Sequence, residues 1–196
     1  MDGGRISSEE KSTISTYVGI IAIVALVAGV IYFFLFTQQK TQAVTGFDPN
    51  RPIPSDAELK RRLKPEQYHI VREGGTQVPM QNEFWNKDNV GLYVDVITGE
   101  PLFTSVDKYD AGLGMPTWSK PISKDLLVEK LDTSFGMQRT EVSVKRSNAH
   151  LGHVFTDPQS PTGVRYTLNS AAFKFIPIER MQDDGYGAYL PLLEKK

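Results

Sequence analysis

His150 to Pro177 reads HLGHVFTDPQSPTGVRYTLNSAAFKFIP, and the reading of this stretch decides the fold. It holds three short runs of strand-forming residues, Val154-Phe155, Arg165 to Leu168 and Ala172 to Ile176, separated by Pro and Gly. The same rhythm runs upstream. Leu92 to Ile97 (LYVDVI) is β-rich, Thr98-Gly99-Glu100-Pro101 turns, and Leu102-Phe103 resumes. Thr140 to Val144 (TEVSV) alternates, so Glu141 and Ser143 share the face opposite Val142 and Val144. These signals predict a mainly β domain. Ahead of it, Ser55 to Leu63 (SDAELKRRL) predicts a short helix: Ser55 caps, Glu58 follows three residues later, and Leu59 and Leu63 share a face. Pro65 begins a new turn, and from there the signals are mostly β.

Working further outward, the stretches HLGHVFTD (His150 to Asp157), PTGVRY (Pro161 to Tyr166) and NSAAFKFIP (Asn169 to Pro177) resemble the signature of the peptide-methionine-R-sulfoxide reductase B family. LYVDVITGEPLFTSVDKYD (Leu92 to Asp110), KPI (Lys120 to Ile122) and DTSFGMQRTEV (Asp132 to Val142) match in the same order. The resemblance covers Ser55 to Leu192. It implies two antiparallel sheets with a substrate cleft on the surface, preceded here by the short helix. It also implies a reaction: a thiolate attacks a methionine sulfoxide, methionine leaves, and the resulting sulfenic acid is resolved by a second thiol.

This chain contains no cysteine. Where the family carries its nucleophile, the strand reads RYTLNS and Thr167 stands in the place. Leu113 stands where a resolving cysteine is common, and Met115 where a tryptophan packs on the substrate methyl group. Many members hold structural zinc through two C-x-x-C pairs; the corresponding positions are Asp95 and Thr98, then Val144 and Ser147. A valine has no donor for zinc, so neither metal nor other cofactor is expected. A threonine oxygen has no counterpart of the sulfenic acid and disulfide steps, so activation by a base does not rescue the reaction. The polar pocket survives. By the resemblance, His150, His153, Asp157, Arg165 and Asn169 surround the sulfoxide or support groups that do, Phe155 lines the apolar side, and Trp118 compensates for the tryptophan lost at Met115.

Other readings stand beside these. His150 and His153 are a retained sulfoxide pocket, fold residues holding strands together, or two metal ligands with only Asp157 near as a third. Arg165 and Asp157 suffice as an ion pair bracing a loop. Asp132 to Gly136 is a cleft wall or simply a turn, and His69 is an ordinary surface or strand histidine. Lys60-Arg61-Arg62, diluted by Glu58 and Glu66, reads as a solvated helix face.

The N-terminal region differs in kind. No charge occurs between Lys11 and Lys40, and Tyr17 to Phe36 (YVGIIAIVALVAGVIYFFLF) is nearly all apolar. Twenty helical residues span roughly 30 Å, the thickness of the hydrocarbon core of a bilayer. The expectation is a polar N-terminus over 1–12, a single transmembrane helix over 13–37, a linker over 38–54 and the domain over 55–196. Basic residues flank the span almost equally, so charge does not orient it; the resemblance to anchored exported relatives places the domain on the non-cytoplasmic side. With 40% apolar residues the chain has a core to build, and its net charge of -1 excludes nucleic-acid binding driven by charge. The expected partners are membrane lipid, subunits of a membrane complex and methionine-sulfoxide peptides. Three functions follow: a membrane-anchored, inactive reductase-like scaffold or binding subunit; a reductase borrowing an external thiol; or a non-catalytic reader of oxidised methionine.

Overall fold

The computed structural model describes residues 24–32 and 46–194, which fall in two compact units, Met1–Val44 and Thr45–Lys196. In the first, residues 24–32 form a helix, α1, with Val24, Leu26, Val27, Val30, Ile31 and Tyr32 all exposed. Among the described residues no helix is long and apolar enough to cross a membrane. The remainder of the span expected over 13–37 lies outside the described residues, as do 1–12 and 38–45.

The second unit opens with two helices. α2 (Asp56–Arg62) starts where Ser55 Oγ accepts the Glu58 amide, and acidic residues in its first turn with basic ones in its last suit the helix dipole. α3 (Pro65–Glu73) was not expected. Pro65 enters its first turn, the Gln67 side chain caps the Lys64 amide, and Gly74 ends it in the left-handed region. The turn expected at Pro65 is therefore a helix start, and His69 is an exposed helix residue bonded to Glu73, not a strand histidine.

Among the described residues nine strands follow: β1 (Gly91–Asp95), β2 (Pro101–Thr104), β3 (Lys108–Tyr109), β4 (Thr117–Trp118), β5 (Leu127–Asp132), β6 (Arg139–Val144), β7 (His150–Thr156), β8 (Val164–Leu168) and β9 (Phe173–Pro177). They make two antiparallel sheets, ordered β2-β1-β9 and β3-β4-β8-β7-β6-β5. A short helix, α4 (Ile178–Met181), and a 3-10 segment, Gly187–Leu193, close the chain. The domain is mainly β, as expected.

The alternation of each strand divides the six-stranded sheet into two faces. Leu127, Val142, Val144, Leu168 and Tyr166 turn inward to the core, joined by Trp118 opposite Tyr166. Trp118 sits among Tyr93, Phe103 and Phe173 at ring separations of 4.9 to 5.5 Å, and its indole N–H donates to the Thr104 carbonyl. A residue so placed belongs to the core. It does not replace the lost tryptophan at the cleft, because strand parity turns its side chain to the other face of the sheet.

Residues 46–54, the described end of the expected linker, group with the domain. Arg146 donates to the carbonyls of Asp48 and Arg51 and lies 5.3 Å from the ring centre of Phe47. They form a strap across the β6–β7 turn.

Candidate functional site

The outward face of the six-stranded sheet carries one continuous row. Register places Tyr109 opposite Thr117, Thr117 opposite Thr167, Thr167 opposite His153, His153 opposite Glu141 and Glu141 opposite Lys130. Arg165 opposite Phe155, and Arg139 opposite Asp132, make the neighbouring row. The sheet thus brings Thr167, His153, Phe155 and Arg165 to one surface. Close backbone approach at Gly152 permits it: a Cβ there would lie 2.5 Å from the Thr167 carbonyl.

Each imidazole has its own carboxylate. His150 Nδ1 lies 2.6 Å from Glu141 Oε1, and His153 Nε2 lies 2.8 Å from Asp132 Oδ2. The two rings are 5.8 Å apart, nearly perpendicular. Asp132 also accepts from the Ser134 amide and from Arg139, whose guanidinium reaches the Ser134 hydroxyl as well. The Ser134 hydroxyl and amide, followed by His153 and Arg139, hold the Asp132 carboxyl far below the usual carboxylate range. Burial pushes the pKa of His153 down, and Arg139 and His150 add to that, against the pull of Asp132. His153 is therefore set to be neutral, beside a carboxylate set to be charged.

The other end of the site is built around Asp157. Its carboxylate accepts the Gln159 amide and the Tyr109 hydroxyl, and these hold its pKa down, the Gln159 amide foremost. Arg165 lies 3.9 Å from Asp157 and stacks 4.8 Å from the Phe155 ring centre. A cation over an aromatic face is worth about 0.5–1 kcal/mol where exposed. Leu113, Arg165 and Asp157 line an open groove of ≈ 570 Å³ with Tyr109 and Gln159.

Thr167 Oγ1 is buried and has no hydrogen-bond partner among the described residues; His150 Nε2 is in the same state. Met115 Sδ lies 3.5 Å from the Asn82 amide nitrogen, and Asn169 is 2% exposed. Asn169 accepts the Gln77 amide and donates to the Leu151 carbonyl, so it braces α3's exit against β7. Glu141, Asp132, Arg139, Tyr109 and Thr117 were not named as site residues. The alternation of Thr140–Val144 already put Glu141 on the polar face, and the Asp132 turn was quoted as a cleft wall. β5, Tyr109 and Thr117 carry no local signal.

A family model for the SelR domain, the methionine-R-sulfoxide reductase B family, matches residues 63–177, more than half of the chain. The chain belongs to this family. In the SelR-domain scheme the two turns at 95–98 and 144–147 are where relatives place zinc. Here Asp95 Oδ2 accepts the Thr98 hydroxyl at 2.6 Å and Oδ1 accepts the Ile97 amide at 3.1 Å. Val144 is wholly buried and offers no side-chain donor. The carboxylate is engaged and the donor set incomplete, so these residues do not fit a zinc ion. Among the described residues no group of three or more His, Cys, Asp or Glu is disposed to hold a metal.

Thr167 lies on β8 opposite His153, and a threonine oxygen has no sulfenic state to cycle through. Absence of cysteine fits a protein of this family without its catalytic chemistry.

Proposed function

We propose that this SelR-domain protein is a membrane-anchored pseudoenzyme that serves as a binding or scaffolding subunit. One observation carries the reading: Tyr109, Thr117, His153 and Glu141 each hold a side-chain hydrogen bond along one row, around a Thr167 hydroxyl without a partner among the described residues where relatives carry sulfur. A partner role is supported by the far edge of the same sheet. Val128, Leu131, Phe135 and Met137 are exposed on β5 and the turn after it, with Phe135 89% exposed at φ 56. Anchoring is supported by the apolar stretch Tyr17–Phe36 and by the exposed apolar side chains of α1.

Native-gel sizing after mild detergent extraction tests the subunit role. The reading expects this 21.9 kDa chain to migrate with larger species. A chain recovered only as a free monomer contradicts it.

A second reading has its own support. The buried, unpartnered His150 Nε2 and Thr167 Oγ1 leave polar capacity at the site. An unmet buried polar group costs about 1–3 kcal/mol, which a ligand with a strong acceptor or donor would recover. A non-catalytic reader of methionine-R-sulfoxide peptides fits that demand. Calorimetric titration with R- and S-sulfoxide peptides and the reduced peptide tests it; equal non-binding by all three removes the reader.

A further inference from the structure

A second concavity lies away from this sheet face, where residues 51–55, α2 and the two hairpin turns meet. Its volume is ≈ 400 Å³. Arg51, Arg62 and Arg146 line it, with Ile53, Ile97 and Thr98 between them. Glu58 is the one carboxylate on the wall, and it faces the Nη1 of Arg62 at 3.2 Å. Arg146 spends its two terminal nitrogens on the strap, and Arg51 gives one long bond of 3.5 Å to the Gly46 carbonyl. Each guanidinium has five N–H donors, so Arg51 and Arg62 retain donors for an incoming group.

Three cations around one small pocket repel one another; Glu58 on the wall offsets Arg62 and Glu100 behind it offsets part of Arg146, which leaves Arg51 without a facing carboxylate among the described lining residues. We propose that this pocket binds a phosphate-bearing anion. The planar fork of arginine matches phosphate oxygens in paired hydrogen bonds. Ile53 and Ile97 give the organic part of a phosphate ester an apolar wall. The source is a phospholipid head group or soluble phosphate. The strap favours the lipid: its residues continue the chain out of Tyr17–Phe36, and the fifteen residues from Phe36 to Arg51 reach at most roughly 50 Å. Only that choice rests on the anchoring reading; the pocket does not.

The test is amide hydrogen exchange on the full chain in phosphatidylcholine nanodiscs. The arms are no addition, phosphatidylglycerol in the disc, and inorganic phosphate in the buffer. Phosphatidylglycerol is expected to slow exchange at Ile53, Ser55, Ile97 and Thr98 about five-fold. The double variant Arg51→Gln/Arg62→Gln, which leaves the Arg146 clamp intact, is expected to lose that protection. Protection by inorganic phosphate supports the pocket, and protection by phosphate alone overturns the lipid source. Unchanged exchange in both arms, or equal slowing in the double variant, overturns the site. Release of the chain from native membranes by alkaline carbonate would sink the anchoring reading while the phosphate arm still judges the pocket.

Discussion

His153 is held neutral by burial while Asp132 beside it is held ionised, and this pairing has consequences that titration can read. A histidine whose folded pKa lies below its ordinary value of about 6.5 costs stability once the unfolded chain takes up the proton first. The fold is therefore expected to lose stability as pH falls below about 6.5, the loss being complete below the folded pKa of His153. Asp132 acts in the same direction in a lower window: its stabilisation is present above about 3.9 and lost only as pH falls towards its depressed folded pKa. Asp95 and Glu100, whose pKa values burial pushes up, gain stability on acidification and mask part of the His153 effect. The difference between wild type and His153→Gln isolates it. Thermal melts at pH 7 and pH 5 should show a smaller acid loss in His153→Gln. In the NMR titration of the imidazoles, Asp132→Asn should move the His153 pKa further down, because the carboxylate is what raises it. An upward move would mean that Asp132 does not face His153. His153, Arg165 and Phe155 were legible as site residues because they lie in the quoted motif. The carboxylate partners of the two histidines were not, since Asp132 reaches His153 and Glu141 reaches His150 only through the β5–β6–β7 register.

Within the β1–β2 turn, Asp95 accepts the Ile97 and Thr98 amides and the Thr98 hydroxyl. Asp95→Ala leaves buried donors unmet, and chemical denaturation should show a loss of about 1–3 kcal/mol for each group stranded. A loss under half a kcal/mol would mean that the turn holds without this network. The strands themselves were readable in the sequence. Leu92–Ile97 became β1 and the turn after it, Thr140–Val144 became all but the first residue of β6, and Arg165–Leu168 became β8 but for Val164. α3 was not readable, because Pro65 signals a turn and a helix start equally well and only the Gln67 cap decides. β5 was missed because its pattern, one buried residue and four exposed, is that of an edge strand. The cleft role expected for Trp118 came from the resemblance alone, and a two-residue strand has too little alternation to show its parity.

At the scale of the whole molecule, the chain joins an apolar stretch to a SelR domain that lacks thiols. If the stretch anchors the chain, flotation of native membranes should carry it upward, and alkaline carbonate should leave it in the pellet. Recovery in the carbonate supernatant would contradict anchoring. The domain's family was legible because its motifs are long and colinear. Its partner was not, since an exposed edge such as Leu131 and Phe135 fits many surfaces and names none.

The central claim is that no atom at the Thr167 position can accept and release an oxygen equivalent. Stereospecific turnover of a methionine-R-sulfoxide peptide by the purified full chain, with dithiothreitol as reductant, tests it most directly. The account predicts no turnover by the wild type and measurable R-specific turnover by Thr167→Cys. Robust turnover by the wild type, abolished by His153→Gln or Arg165→Gln, would contradict it.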